Sequence, residues 1–190
     1  MKKRFFILSI LISIFFVSCA SMKEKDDNLL NPVYVTNRNK ISLLPPSAID
    51  FPINTYQLIE GQFGKNSFTM MAYIELSEEG IFISLLNDFG TDMGVISYDG
   101  QKVYFESPYF PKNLKGEYVI SDIQNVYYNT ELLKTNYEKA GLQFICGADY
   151  RQILNGNKVI EEIKFNEQSV TIKNFLRDYE YNLVDGGIVE

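Results

Sequence analysis

Cys19 is the residue with the most specific chemistry in this sequence. Three basic residues, Lys2, Lys3 and Arg4, precede an apolar run over residues 5–17, which ends in Ser18 and Cys19. The run is too short to cross a bilayer, for which about 20 apolar residues are needed. A basic start, a short apolar segment and a small residue before a cysteine form the pattern of a bacterial lipoprotein signal. We expect residues 1–18 to be a removed signal peptide and the Cys19 thiol to carry a thioether-linked diacylglycerol. The alternative is an ordinary secretory signal with an unrelated cysteine.

Other reactive groups are few. The chain contains no histidine, and Cys146 is its only cysteine besides Cys19, so a cysteine–histidine nucleophile pair is excluded. The adjacent carboxylates Glu161 and Glu162 lie in a strand pattern, where neighbouring side chains point to opposite faces of a sheet. They therefore cannot converge on one substrate atom, and no nucleophile elbow or phosphate loop occurs. We expect no enzymatic activity, no metal and no cofactor, and we expect Cys146 to be a small core residue.

Charge limits the partners. Without Lys2, Lys3 and Arg4, 15 basic and 24 acidic residues remain, a net charge of −9. An acidic surface disfavours nucleic acid and anionic lipid. We therefore expect no nucleic-acid partner and expect membrane contact through the lipid anchor, since several acyl chains hold a protein stably at a surface.

The positions of Pro45 and Pro46 divide the remaining chain in two. Residues 19–45 are mostly polar and follow no periodic pattern, which predicts a lipidated flexible tether. Residues 46–190 are long enough for one domain with a substantial core. The sequence predicts a tether over 19–45 and one folded domain over 46–190.

The domain has the pattern of a mainly β fold, of the α+β type. Apolar and polar residues alternate in ten segments, with Asp99-Gly100 and Asn155-Gly156 as hairpin dipeptides. Five strands are predicted before residue 108 and five after residue 141. Between them, apolar spacings of three and four predict two helices over residues 114–128 and 130–140, the second capped by Thr130 and ended by Gly141.

So large an antiparallel sheet must curl, because strand twist accumulates. We expect a half-barrel of about ten strands whose concave face is covered by the two-helix insert. Two alternatives remain open, an interior cavity or a dry closed core. The candidate cavity-lining residues are Met70, Ala72, Ile74, Ile81, Ile83, Leu85, Val103 and Phe105.

The order of these segments resembles the LolA/LolB lipoprotein-carrier fold and a LolB-like family of bacterial lipoproteins of uncharacterised function. The resemblance covers about residues 43–185. It is carried by Leu43-Leu44-Pro45-Pro46, Tyr98-Asp99-Gly100, Leu142 followed by Arg151, Ile160-Glu161-Glu162-Ile163, and Asn174 with Tyr179-Glu180-Tyr181-Asn182-Leu183.

The resemblance implies a half-open barrel with a helical lid, which accepts acylated proteins and places them in the outer membrane. It also implies a protruding loop with an apolar tip, here Asn87-Asp88-Phe89-Gly90, with Phe89 as the membrane contact. The alternative is that Phe89 folds back into the core. Ala20 after the cysteine favours the outer membrane, facing the periplasm.

Two functions follow as expectations. The first is a membrane-anchored, monomeric half-barrel that binds a lipid, an acyl chain or an acylated protein. The second is a structural or partner-binding envelope lipoprotein with a closed core, for which Tyr127-Tyr128 and the pair Tyr179 and Tyr181 are the candidate contact residues.

Overall fold

Residues 31–110 and 114–186 are described by a computed structural model of the chain. Cys19, the signal segment and the first part of the expected tether lie outside these ranges, and the expectations for them stay predictions. Within the described ranges, no helix has both the length and the apolar character needed to span a bilayer.

Twelve strands and two α-helices make up the described fold. The helices are α1 (Gly116–Tyr127) and α2 (Thr130–Lys139). The strands are β1 (Pro32–Tyr34), β2 (Lys40–Ser42), β3 (Ile53–Phe63), β4 (Asn66–Leu76), β5 (Ile81–Leu86), β6 (Asp92–Tyr98), β7 (Val103–Glu106), β8 (Gln143–Cys146), β9 (Tyr150–Asn155), β10 (Lys158–Phe165), β11 (Ser169–Asn174) and β12 (Tyr179–Asp185).

Ten of these strands form one antiparallel sheet in the order β7-β6-β5-β4-β3-β12-β11-β10-β9-β8. Each half of the sheet is a meander, and the two halves meet where β3 pairs with β12, from Phe63 opposite Tyr179 to Gln57 opposite Asp185. The outer strands β7 and β8 do not pair with each other, so the sheet is not closed into a barrel. The predicted fold class, a mainly β curled half-barrel with a two-helix insert, is confirmed.

Strict alternation places one face of the sheet in the core. Along β4, Met70, Ala72, Ile74 and Leu76 are buried, and the residues between them face outward. The same alternation continues across β5 and β6. This period of two is what a sheet with one covered face requires.

The predicted tether is wrong for residues 32–43. Strands β1 and β2 pair as a small hairpin, with Val33 opposite Ile41. Val33, Val35, Ile41 and Leu43 are at most 6% exposed and belong to the main core. Each strand has only three residues, too few for alternation to stand out in a polar stretch.

The helices lie where they were predicted, with one correction at the start of α2. The cap is Asn129 and not Thr130, because the Asn129 side chain accepts hydrogen bonds from the amides of Glu131 and Leu132. Gly141 follows the helix with a φ of 75°, the left-handed conformation of a glycine stop. Helix α2 packs on β8 through the stacked rings of Tyr137 and Phe144, whose centroids are 5.3 Å apart.

The prediction of a core position for Cys146 is wrong, because Cys146 is exposed. It ends β8, an outer strand in which only Phe144 is buried. Its apolar neighbours in sequence suggested burial, but Ile145 is exposed too. The strand lies at the sheet edge and has one covered face.

Candidate functional site

All eight residues predicted to line a cavity lie on the concave face of the sheet, and they pack in its core. Met70, Ala72 and Ile74 of β4 are opposite or next to Ile81, Ile83 and Leu85 of β5, and all six are at most 6% exposed. Val103 and Phe105 of β7 are half-buried beneath the start of α1. A Cβ added at Gly116 would lie 2.8 Å from Val103 Cγ1 and 2.9 Å from Phe105 Cβ.

The closed interior is explained by a cover larger than the sequence suggested. Helices α1 and α2 and the β1–β2 hairpin together form what we call the cover. It contributes the buried side chains Val33, Ile41, Ile120, Ile123 and Leu133. One hollow under the cover measures about 10 Å³, room for one water molecule, and none of the eight predicted residues lines it. These residues therefore do not line an open cavity in this conformation.

Helix α1 buries an unusual set of side chains against the sheet. Ser121, Asp122, Gln124 and Asn125 are all buried, and they are half of the residues that the helix buries. An amphipathic helix normally covers a core with apolar side chains. The contact between α1 and the sheet is therefore a candidate functional site.

Asp122 is the centre of this contact. Tyr179 and Tyr181, on the same face of β12, both donate hydrogen bonds to its carboxylate. The Tyr179 hydroxyl lies 2.8 Å from Asp122 Oδ2 and 3.0 Å from Oδ1, and the Tyr181 hydroxyl lies 3.0 Å from Oδ2. The prediction that these two tyrosines share one face is confirmed, but their hydroxyls are directed at α1 and not at solvent.

Glu161 of β10 is the second buried carboxylate. Asn125 of α1 donates to its Oε1 and Asn174 of β11 to its Oε2, each at 2.9 Å. Tyr137 of α2 donates to the Asn125 side-chain oxygen at 2.9 Å. The Asn125 side chain therefore links both helices to the sheet, because it contacts Tyr137 of α2 and the Glu161 carboxylate, which is 5% exposed.

Burial and nearby charges shift the pKa of both carboxylates. Burial raises the pKa of Asp122 well above its usual range, and the nearby charge of Glu161 raises it further. Burial also raises the pKa of Glu161, against its hydrogen bonds from Asn125 and Asn174. Arg177 lowers both values through its charge. Its guanidinium lies over the Tyr118 ring, with Cζ 4.3 Å from the centroid, and lines the small hollow.

Two further polar contacts join the parts of the cover and the segment after its hairpin, and a third attaches the cover to the sheet. Gln124 and the Leu44 backbone exchange two hydrogen bonds, at 2.9 and 2.7 Å. Asn136 of α2 donates to the Ser42 carbonyl at 2.8 Å. Gln57 of β3 donates to the Tyr127 hydroxyl at 2.8 Å, while its own side-chain oxygen is buried without a partner in the described part of the chain.

Arg151 of β9 holds the end of α1. Its Nη1 lies 2.6 Å from the Asn125 carbonyl oxygen, 3.1 Å from that of Val126 and 3.3 Å from that of Tyr128. Its Nη2 donates to Thr130 Oγ1 at 3.1 Å. Carbonyls at a helix end lack helical partners, and a cation there also suits the helix dipole. Arg151 therefore ties the helix junction of the cover to the sheet.

Phe89 is at the tip of the β5–β6 turn and is 92% exposed. It does not fold back into the core, which was the alternative. The Asn87 side-chain oxygen accepts hydrogen bonds from the Phe89 and Thr91 amides, each at 2.9 Å, and Gly90 has a φ of 73°. The turn is therefore ordered, with an apolar ring at its tip.

The remaining predicted contact residues are mostly internal. Tyr128 is fully buried, and burial raises its pKa to about 12. Tyr127 is half-buried against Gln57. In the sequence, only the polar pair Asp122 and Asn125 on the apolar face of α1 could have indicated the buried site. Within residues 31–110 and 114–186, no group of three histidine, cysteine, aspartate or glutamate side chains is placed to hold a metal ion.

Comparison with family models adds one match. Residues 54–184 match the model of a family described as "Protein of unknown function (DUF3261)". The chain belongs to the DUF3261 family. The matched range begins at the second residue of β3 and ends one residue before the end of β12, and it includes both helices and the other eight strands of the sheet of this DUF3261 chain. No curated protein and no solved structure matches it.

Proposed function

We propose that this DUF3261 chain is a lipid-anchored envelope protein whose half-barrel accepts a lipid, an acyl chain or an acylated protein when its cover is displaced. The acceptor surface is the concave face around Met70, Ala72 and Ile83. The proposal combines the lipoprotein signal at Cys19, the LolB-like order of elements and the polar attachment of the cover. The outer membrane, facing the periplasm, is the proposed location.

The observation that carries this proposal is the burial of two carboxylates, Asp122 of α1 and Glu161 of β10, at the contact between α1 and the sheet. Burying a charge costs several kcal/mol, and an apolar replacement of a buried ionic group is often neutral or stabilising. Asp122 and Glu161 therefore hold the cover less tightly than apolar side chains in their place would. For a cover held in this way, the free energy of opening is smaller than the free energy of unfolding the sheet.

Opening would expose an acceptor surface suited to acyl chains. The buried concave residues of β4 and β5 are aliphatic, except for Met70, whose thioether side chain adapts to irregular ligands. Each methylene of an acyl chain buried there contributes about 0.8 kcal/mol. A long chain would therefore replace the contacts that the cover makes in the closed state.

The packed interior favours a second function, a structural or partner-binding envelope lipoprotein. In that case the cover stays in place and the concave face never meets a ligand. The two functions predict different labelling of the same residues.

The test is photo-crosslinking in isolated envelopes, with the full chain expressed from its own sequence. A photoactivatable palmitate analogue is supplied, and labelled peptides are mapped by mass spectrometry. We expect labels on the concave residues of β4 and β5. Labels confined to exposed residues, or none at all, would support the closed-core function.

A pair of variants sharpens this test. Arg151→Met removes the tie at the end of α1, and we expect it to increase concave labelling. Lys173→Met removes a cation on the convex face, where Lys173 pairs with Glu180, and we expect no change. An equal response of the two variants would show that displacement of the cover does not control access.

A further inference from the structure

We infer that one end of the sheet is a bilayer-contacting rim, built from several loops and not from the Phe89 turn alone. We call this end the aromatic rim and define it by Phe63, Phe89, Tyr109, Phe175 and Leu176. The inference rests on the membrane attachment in the proposed function but does not depend on a ligand in the half-barrel.

The antiparallel order brings these residues to the same end. Phe63 ends β3, and Tyr179, which begins β12, is opposite it. The β3–β4, β5–β6 and β11–β12 turns therefore lie at one end of the sheet, and the chain leaves β7 there as well. Ser107 after β7 donates a hydrogen bond to the Met93 carbonyl at 2.5 Å, which holds that segment beside the Phe89 turn.

The rim side chains are exposed although they are apolar. Phe89 is 92% exposed, Tyr109 60%, Phe63 51%, Phe175 47% and Leu176 42%. Single exposed apolar residues are common on protein surfaces. Five at one end, at the tips of successive loops, indicate a contact surface.

Two of the rim turns are held rigidly by asparagines. Asn87 caps the Phe89 turn, as described above. Asn174 Oδ1 accepts hydrogen bonds from the Leu176 and Arg177 amides, at 3.2 and 2.9 Å. Tips that are already ordered lose little conformational entropy when they bind.

The charge distribution sets the orientation. The rim turns carry two positive residues, Lys65 and Arg177, and two negative residues, Asp88 and Asp178, so their charges balance. The turns at the opposite end are acidic. They carry one cation, Lys102, and five exposed carboxylates, which are Glu78, Glu79, Asp99, Asp149 and Glu167. An anionic membrane surface repels that acidic end and leaves the rim as the approaching side.

A bilayer fits this surface better than a folded protein. The rim consists of separate loop tips at one end of the sheet and not of one continuous segment. Aromatic side chains are enriched at the headgroup level of membranes, where their rings sit between apolar and polar surroundings. We therefore assign the lipid headgroup region as the occupant of the rim.

The test places a fluorophore at each end of the sheet. The full chain carries Cys146→Ser and one new cysteine, either Leu176→Cys at the rim or Gln101→Cys at the acidic end. It is reconstituted in phosphatidylcholine vesicles containing lipid-bound quenchers, with or without phosphatidylglycerol. The Cys146→Ser parent gives the background from Cys19.

We expect quenching at residue 176 and only background quenching at residue 101. Equal quenching at the two positions, or none at residue 176, would overturn the inference. Protection of residue 176 by an added envelope protein instead of lipid would also overturn it, and would assign the rim to a protein partner. In a second measurement the fluorophore is attached at residue 63 through Phe63→Cys. The double substitution Phe89→Ser and Phe175→Ser should lower the quenching measured there. Phe51→Ser, at a phenylalanine before β3 whose 78% exposure lies between those of Phe89 and Phe175, should not lower it. Concave labelling by the palmitate analogue is measured separately, so either idea can fail alone.

Discussion

The Tyr179 hydroxyl on β12 contacts both carboxylate oxygens of Asp122 on α1, at 2.8 and 3.0 Å. This contact joins one of the two middle strands of the sheet to the helix that covers it. Burial and the charge of Glu161 raise the pKa of Asp122, so Asp122 binds a proton more tightly in the closed structure than in the unfolded chain. The attachment of the cover is therefore linked to pH.

The first prediction is that the folded state loses stability as pH rises. A carboxyl whose pKa is raised by folding binds more protons in the folded state than in the unfolded state. Stability from Asp122 and Glu161 is therefore greatest below their ordinary pKa, near 4, and falls as pH rises through their raised folded values. Tyr137, Tyr179, Tyr181 and Arg177 face the pair, and the pKa of each of these tyrosines is raised, so they stay protonated over this range.

Thermal unfolding followed by circular dichroism between pH 4 and pH 8 checks this prediction. We expect Asp122→Asn to flatten the decline of the melting temperature. Glu162→Gln is the matched control, because Glu162 is on the convex face beside Lys164, which lowers its pKa. The stabilising contribution of Glu162 is lost as pH falls. Its replacement should therefore change the melting temperature at the acid end of the pH range and leave the decline at higher pH unaltered. An unchanged decline in Asp122→Asn would contradict the role given to Asp122.

The second prediction concerns the two tyrosine hydroxyls. Tyr179→Phe and Tyr181→Phe each remove one hydrogen bond to a buried carboxylate, and each should lower the free energy of unfolding by about 1–3 kcal/mol. Because both bonds end on Asp122, their effects should not add. Urea titration of the single and double variants, each with and without Asp122→Asn, measures the coupling. Additive effects would show that the hydroxyls do not share this partner.

The third prediction concerns Arg151. Arg151→Met leaves the carbonyls at the end of α1 without their donor and should cost about 2–3 kcal/mol of unfolding free energy. Arg151→Lys keeps the charge but lacks the fork that reaches several oxygens, so it should recover only part of the loss. Lys173→Met, which removes an exposed pair with Glu180, should change stability by less than about 1 kcal/mol. Full recovery by lysine would mean that charge alone holds the helix end.

The fourth prediction tests the hairpin that replaces the expected tether. Ile41 is 4% exposed in the main core, and Ile41→Ala should cost about 2–5 kcal/mol. Phe89→Ala removes a larger but exposed side chain and should change stability by less than about 0.5 kcal/mol. Urea unfolding of both variants provides the comparison. Equal, small effects would show that residues 32–43 do not belong to the folded unit.

Much of the fold could be predicted because its signals are local. Alternation in β4 and the glycine turn at Gly100 predicted the strands and the meander of the first half of the sheet, and spacing predicted the two helices. The β1–β2 hairpin was missed because three-residue strands carry too little periodicity. That omission made the cover look too small and suggested an open cavity under Met70 and Ala72.

The buried site was harder to predict because it depends on pairings distant in sequence. Glu161 and Glu162 were correctly assigned to opposite faces, but nothing local showed that Glu161 would meet Asn125 and Asn174. Tyr179 and Tyr181 were noticed as a pair on one face, and their partner Asp122 lies 57 residues before Tyr179. Conversely, the exposure of Cys146 follows from its place at the edge of the sheet, which the sequence pattern does not reveal.

The central claim is that the cover opens independently of the sheet. Hydrogen exchange of the full chain, resolved to the amides of α1 and of β3 and β4, tests it most directly. We predict that α1 exchanges with a smaller opening free energy than β3 and β4, and that the palmitate analogue increases exchange in α1 while the sheet stays protected. Exchange of α1 together with β3 and β4, at one free energy equal to that of global unfolding and unaffected by the analogue, would contradict the claim.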